Sequence, residues 1–450
     1  MRVIIVAPGH PGPHRKSFPP ATTAPYLAAL VTPYASAIKV YDLAVEPFNY
    51  NAAIPDVALL TSTAPQFAQI YDIAFFLKSR GAKIILGGPH PTLSYHHDAR
   101  IKEIADSVIL GEGERALPQA LSDYSDGKLK PAYSIPVDSL DGIPFSRLDL
   151  LDRSKYYFST VLFATRGCVN DCAYCVIRDI YGHKHLKRPT DEVIEEIRFQ
   201  TSRHGLSWLE RKLIQFWDDN PACDLNWFHE LLEKMIPLKK WWFSQMCVNI
   251  ADSKETLRLM KASGCKGLLV GFESVSDETL RAQRKKAINS ANHYIRQAST
   301  LLKHGITLLG TFMYGFDEDT KQSLFEDTPR MVEEMGLCLL HNHIVVPYPH
   351  TQYYRLLKEE NRLLTEELKY YNGYTVVHKP KNMHPFELQK GFITTRQNFY
   401  SPRSVLKRML KQNLCKMPEF LVWNFLYRKP NFQVVPGVSM NDWMKFLNSL

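Results

Sequence analysis

The first 120 residues alternate short apolar runs with stretches of helical periodicity. Runs at 3–7, 38–41, 57–62, 83–86 and 107–110 predict strands, and the spacing over 24–32, 66–80 and 98–105 predicts helices between them. Strands this uniformly apolar are buried on both faces. The pattern therefore predicts α/β architecture with a parallel, doubly wound (Rossmann-like) sheet over 1–123. Ligands of such sheets bind in the loops after the strands' carboxyl ends. Those loops read PGHPGPH, TSTAPQ, GGPHPT and GEGE. Residues 124–157, punctuated by Asp, Gly, Pro and Ser, read as a linker.

A second series starts at 161. Strands are predicted at 161–165, 213–217, 241–248, 267–272, 306–314 and 338–346, with helices near 224–235, 253–263, 289–304 and 318–335. Another helix is expected after 190, with Thr190 as its cap and Asp191 and Glu192 in its first turn. Six βα repeats are two short of a full barrel. They predict a partial (βα)6 TIM barrel over 158–349, with chemistry at the strands' C-terminal ends. Residues 350–450 read as a basic helical region.

Composition narrows the class. A chain of 450 residues, 45% hydrophobic and 22% charged, is globular and needs more than one core. No apolar run approaches the ~20 residues of a membrane span. The start, MRVIIVAPGH, reads as a first strand and not as a signal peptide, which implies a cytoplasmic protein. The net charge of +9 is concentrated at the end, where 351–450 carry 16 Lys and Arg against 7 Asp and Glu. In 401–430, Leu406, Met409, Leu410 and Leu414 fall at helical spacing, and the aromatic run FLVWNFLY follows. Such a segment suits either a helical subdomain packed on the barrel or peripheral contact with an anionic membrane surface or lipid-like substrate.

Eight cysteines in a chain of this size do not make a disulfide framework. Three of them, Cys168, Cys172 and Cys175, lie in RGCVNDCAYC, directly after the first strand of the second series. The other five (Cys223, Cys247, Cys265, Cys338 and Cys415) read as small buried hydrophobes. Thiolates hold zinc or iron–sulfur clusters. A closed zinc site would take its fourth ligand from His183 or His185, giving a zinc-stabilised binding protein. A four-iron cluster on three cysteines keeps one iron open.

Arg166-Gly167-Cys168 followed by C-x3-C-x2-C, with Tyr174 before the last Cys, resembles the cluster loop of radical S-adenosylmethionine (SAM) enzymes. The resemblance implies a 4Fe–4S cluster on Cys168, Cys172 and Cys175. Its open iron chelates SAM, whose reductive cleavage gives a 5′-deoxyadenosyl radical. FWDDN (216–220) and GFES (271–274) resemble further motifs of that family. Together with Tyr174 they imply Asp218, Gln245, Glu273, Ser274 and Pro347 as SAM contacts. An ammonium and ribose hydroxyls do want carboxylate and hydroxyl partners.

The first 120 residues resemble the cobalamin-binding domain found ahead of many such enzymes. The matching residues are Ser62 and Thr63, then Gly87, Gly88, Pro89, His90 and Thr92, then Gly111, Glu112 and Gly113. The Asp-x-His-x-x-Gly that supplies a cobalt ligand is absent around His10 and His14, so cobalamin without a protein histidine ligand is expected. The alternative is a flavodoxin-like domain that has lost its cofactor or binds a nucleotide. The resemblance implies methylation of an unactivated carbon, or of phosphorus, in a small-molecule or lipid-like substrate, with electrons from an external donor such as flavodoxin or ferredoxin. Cyclisation, ring contraction or carbon–carbon coupling is the other radical outcome. Methylthiotransferases that act on tRNA carry a second cluster on N-terminal cysteines. No cysteine precedes Cys168, which argues against them and against a nucleic-acid partner.

Overall fold

The computed structural model describes residues 1–9, 20–157, 159–285, 288–410, 417–427, 435 and 437–450. The chain forms two compact units: Met1–Gly167 with Ile177–Trp217, and Cys168–Val176 with Asp218–Leu450.

The first unit is built on β1 (Arg2–Ala7), β2 (Ala37–Asp42), β3 (Val57–Thr61), β4 (Lys83–Gly87), β5 (Ser107–Ile109) and β6 (Ala132–Tyr133). They lie in the order β2-β1-β3-β4-β5-β6, and every pair is parallel. Strand alternation explains the apolar runs. Val3 and Ile5 pack with Ala24, Ala28, Ala116 and Ala120 on one face, and Ile4 and Val6 pack with Ile70, Ala74, Ile101 and Ile104 on the other. The strand order reverses direction beside β1, the place in such sheets where ligands bind. β6 falls in the stretch read as a linker. Its two residues are too few to show a period.

The same unit holds β7 (Val161–Leu162), β8 (Thr165–Arg166), β9 (Leu186–Lys187) and β10 (Leu213–Phe216). β7 pairs with β10 in parallel, and β8 with β9 antiparallel. The short hairpin carries no alternation long enough to read. Helix Thr190–Ser202 begins at Thr190, with Pro189 as its cap and Asp191 and Glu192 in the first turn, so Thr190 is a first-turn residue and not the cap.

The second unit contains β11 (Trp241–Met246), β12 (Cys265–Glu273), β13 (Thr307–Tyr314) and β14 (Leu339–Ile344), paired in parallel in chain order. Asp224, Ser253 and Ser276 cap the helices Leu225–Met235, Lys254–Ser263 and Asp277–Ala282. Burial alternates along the strands. Leu268, Val270, Phe272, Phe312, Tyr314, Leu340, Asn342 and Ile344 are fully buried beneath the helical layer. Their neighbours Gln245, Leu269, Glu273, Leu309, Thr311, Met313, His341 and His343 face the other way and are only partly buried.

The C-terminal region is helical at Gln352–Glu359, Pro385–Phe399, Pro402–Met409, Met417–Tyr427 and Met440–Asn448. Among the described residues no helix is long and apolar enough to cross a membrane.

Candidate cluster and cofactor sites

The cysteine loop is tied into the second unit by its backbone. Cys175 N–H donates to Cys172 O at 3.1 Å, which closes the C-x2-C turn. Ala173 N–H donates to Gln283 O at 3.2 Å and Tyr353 N–H to Ala173 O at 3.0 Å. Arg284 Nη1 reaches Asp171 Oδ2 at 2.6 Å. Cys172 and Tyr174 pack against Phe316, Val345, Tyr353 and Leu357, with the Tyr174 and Phe316 rings 5.5 Å apart. Cys172 and Cys175 thus sit on one apolar shelf.

Two cysteines read as core residues reach the same place. The Cys223 thiol donates to Cys168 Sγ and is the main reason that thiol is held below its ordinary value; burial opposes it, and the Asn170 backbone N–H and Lys285 add to the lowering. Asn170 Nδ2 lies 3.3 Å from Cys168 Sγ and 3.7 Å from Cys247 Sγ. Asn220 Nδ2 lies 3.5 Å from Cys247 Sγ. Burial pushes Cys247 up to about 11 and also raises Cys172. Cys265 and Cys338 are buried as expected. Cys415 lies outside the described residues.

Lys285, which sequence reasoning passed over, is buried in this group. Burial alone would push its ammonium down, but Tyr174, Glu273, Cys247 and Cys172 together hold it well above its usual value. Its Nζ lies 3.3 Å from Glu273 Oε1. A fixed cation beside several thiols favours thiolates, and the apolar shelf limits water. The donor set therefore fits an iron–sulfur cluster.

The structure brings several of the expected SAM contacts to this unit. Glu273 ends β12 with φ of +69°, a left-handed turn that folds its carboxylate back over Gly271. Ser274 is buried, and its Oγ accepts from Ser276 N–H at 3.1 Å. Gln245 stands on the inner face of β11, opposite Leu269. Asp218 is 1% exposed, and Pro347 is buried just past β14.

In the first unit, the three expected cobalamin-contacting motifs, two of them glycine-bearing, follow β3, β4 and β5. Ser62 Oγ donates to Thr63 O at 2.9 Å, and Thr63 Oγ1 to Gln66 at 2.7 Å. Gly88 has φ of +97°, and a Cβ there would stand 2.5 Å from Thr61 Oγ1 and 2.9 Å from Ser62 N. Gly87 ends β4, and Pro89 opens helix Pro89–Ser94. Gly111 N–H donates to Thr92 Oγ1 at 3.0 Å, tying the second and third motifs together. Gly113 opens helix Gly113–Ser125.

Two residues of these motifs face inward to the protein. His90 is buried between Ser94 (3.3 Å), Asp98 (3.3 Å) and the Phe67 ring (4.4 Å). It braces a helix and does not line a loop. Glu112 and Glu114 both pair with Arg166, the former at 3.4 Å, and Tyr26 OH donates to Glu114 at 2.9 Å. The third motif therefore anchors the strand end that leads to the cysteines. Gly167 follows with φ of +84°, where a Cβ would stand 2.3 Å from Lys184 O. His10 and His14 lie outside the described residues.

Residues 162–327 match the Radical SAM superfamily. Over 388 residues the chain is 28% identical to the bacteriochlorophyllide d C-12(1)-methyltransferase of Chlorobaculum tepidum, covering 85% of this chain and 82% of that protein. The bacteriochlorophyllide d C-8(2)-methyltransferase of the same organism is 24% identical over 386 residues, 81% of this chain and 82% of that one. Among solved structures, the cobalamin-dependent SAM radical enzyme OxsB with aqua-cobalamin bound superposes with a TM-score of 0.70, at 13% identity, over 95% of this chain and 71% of that one. Residues 162–327 of the chain therefore carry a radical SAM domain, in a fold shared with a cobalamin-dependent enzyme.

Proposed function

We propose that this enzyme methylates an unactivated carbon at the periphery of a tetrapyrrole, using SAM, a 4Fe–4S cluster on Cys168, Cys172 and Cys175, and cobalamin in the first unit. The observation that carries this reading is the similarity, over more than four-fifths of each chain, to the two bacteriochlorophyllide methyltransferases, joined to a cysteine loop next to a buried cation. When bound, the cluster with SAM supplies a hydrogen-abstracting carbon radical, and cobalamin a transferable methyl group. The protein's part is positioning. Lys285 offers its ammonium to a carboxylate, Glu273 accepts from an ammonium, and Ser274 and Gln245 offer hydrogen bonds to ribose or carboxylate oxygens. Tyr174 and Phe316 wall water away. In the first unit, the absence of a Cβ at Gly88 lets its backbone lie against Thr61 and Ser62, which draws together two of the loops proposed to hold cobalamin.

The reading is tested by anaerobic reconstitution with trideuteromethyl-SAM and a bacteriochlorophyllide-type chlorin. A product bearing one CD3 in place of hydrogen is expected, together with S-adenosylhomocysteine. Formation of 5′-deoxyadenosine with no methyl gain would support the non-methylating radical reading instead. The electron is assigned to an external donor such as a flavodoxin or ferredoxin.

The C-terminal helices support a peripheral membrane contact, because their polarity is inverted. Arg408 is 2% exposed, with its guanidinium 3.8 Å from the Phe399 ring and donating to Phe399 O and Asn424 Oδ1, both at 2.8 Å. Leu410 and Phe425 are 78% and 73% exposed, and Leu406, Leu421 and Val422 are exposed too. An apolar outer face on a basic region fits an anionic lipid surface. Co-sedimentation with anionic liposomes that is lost on Leu410→Ser with Phe425→Ser is expected. Absence of binding at low salt retires the contact.

A further inference from the structure

The inner face of β14 carries a pair of imidazoles that the cluster and SAM do not use. His341 and His343 are two residues apart on one strand and so point to the same side. Their ring centroids are 4.1 Å apart. The alternate residues identify that side. Leu340 exchanges hydrogen bonds with Tyr400 OH, and Asn342 accepts from Arg396 Nη1 at 3.3 Å, so these two face the helical layer. His341 and His343 therefore face the inner side of the sheet, beside Thr311 and Met313, their partners on β13.

The surroundings suit a neutral nitrogen donor. Burial lowers both imidazoles, His343 to about 4, and the nearby Arg396 cation lowers them further. Each ring thus keeps a lone pair on one nitrogen at neutral pH. His343 is one row nearer the C-terminal end of the strand than His341. It packs against the Tyr374 ring (5.6 Å) and beside Gly373, where a Cβ would stand 3.2 Å from His343 Nδ1. The rest of the inner face offers apolar or flat contacts: Phe243, Leu269, Leu309 and Met313. One strand separates β14 from β12 and Glu273, which places the imidazoles about 10 Å across the sheet from the Glu273–Lys285 pair.

We infer that His343, supported by His341, is the axial ligand to the central metal ion of a planar tetrapyrrole bound against β11–β14. The inference rests on the tetrapyrrole reading above and adds to it a metal-dependent anchor. A lone pair on neutral imidazole forms the bond to an open axial position of the macrocycle's divalent ion. No proton or electron is transferred. Ligation at one face fixes the ring's distance from β14, and the apolar wall sets its rotation. The peripheral carbon presented toward Glu273 and the cluster loop is thereby chosen by where the metal is held.

The test is a titration of the full-length, anaerobically reconstituted protein with zinc protoporphyrin and with metal-free protoporphyrin, followed by absorbance and fluorescence. The zinc form should bind at least tenfold more tightly than the metal-free form, with the red-shifted Soret band of five-coordinate zinc. His343→Gln, which keeps most of the side-chain volume, should bind the two forms equally. Added imidazole should restore the shift, which a merely structural defect would not allow; His343→Ala provides the larger cavity for that rescue. Equal wild-type affinity for both forms, unchanged in His343→Gln, overturns the axial ligand and leaves the tetrapyrrole reading intact. A zinc preference that survives in His343→Gln overturns the assignment to His343. Binding of neither form removes the tetrapyrrole reading and the axial ligand together.

Discussion

Replacing Lys285 with Met leaves the Glu273 carboxylate in the barrel wall without its cation. The two side chains are 9% and 13% exposed, and Nζ lies 3.3 Å from Oε1. At that separation the attraction is about 5 kcal/mol for an effective dielectric constant of about 20. Removing one member of a buried pair costs about 3–5 kcal/mol, because the other charge stays behind unpaired. Lys285→Met should therefore destabilise the second unit by roughly that amount. Combining it with Glu273→Gln removes the stranded charge and should recover at least ~1 kcal/mol of the loss. The assay is anaerobic urea denaturation of the cluster-free protein, read by intrinsic tryptophan fluorescence, for wild type, both single variants and the double. A Lys285→Met variant within about 1 kcal/mol of wild type, with the two losses simply additive in the double, would refute the buried pair. The same variants should weaken SAM binding, since each removes one of the two charges that an amino acid's carboxylate and ammonium would meet.

Asp319 gives a pH dependence with a definite sign. Burial raises its carboxyl to about 7, although Gly315 N–H, Phe316 N–H and Thr279 Oγ1 all donate to it. A folded value above the unfolded one means the contribution is fully present below about pH 4 and is lost as pH rises through about 7. The loss is on the order of 4 kcal/mol, and Asp319→Asn should flatten the melting temperature between pH 4 and 8. Gly88→Ala places a Cβ 2.5 Å from Thr61 Oγ1 at a φ of +97°. It should cost the first unit about 1–3 kcal/mol and abolish the absorbance change on adding cobalamin.

Much of this was legible in the sequence where a single physical requirement dominates. Val3–Val6 and Val57–Leu60 are apolar at every position because both faces of the sheet are covered, and their strands were read nearly to the residue. Ala132–Tyr133 and the 165–166 hairpin were not read, since two residues show no period. The cysteine loop was legible because its ligands are local. Cys223, Cys247 and Lys285 were not, because they reach the loop only through the fold, from 48, 72 and 110 residues after Cys175. In the C-terminal helices the spacing of Leu406, Met409 and Leu410 predicts a helix, found over Pro402–Met409, but does not say which face turns inward; Leu414 lies outside the described residues. Arg408 is buried by stacking on Phe399 and by hydrogen bonds to Phe399 O, Cys338 O and Asn424, so Leu406 and Leu410 point out.

The central claim is that Cys168, Cys172 and Cys175 hold a cluster that cleaves SAM in a cobalamin-binding protein. It is tested most directly by mass analysis of anaerobically reconstituted enzyme incubated with SAM, cobalamin and a reductant. The account predicts a brown protein that retains cobalamin and forms both 5′-deoxyadenosine and S-adenosylhomocysteine, with 5′-deoxyadenosine abolished in Cys172→Ala. A colourless protein that retains one zinc ion, or 5′-deoxyadenosine formed equally by Cys172→Ala, would contradict it.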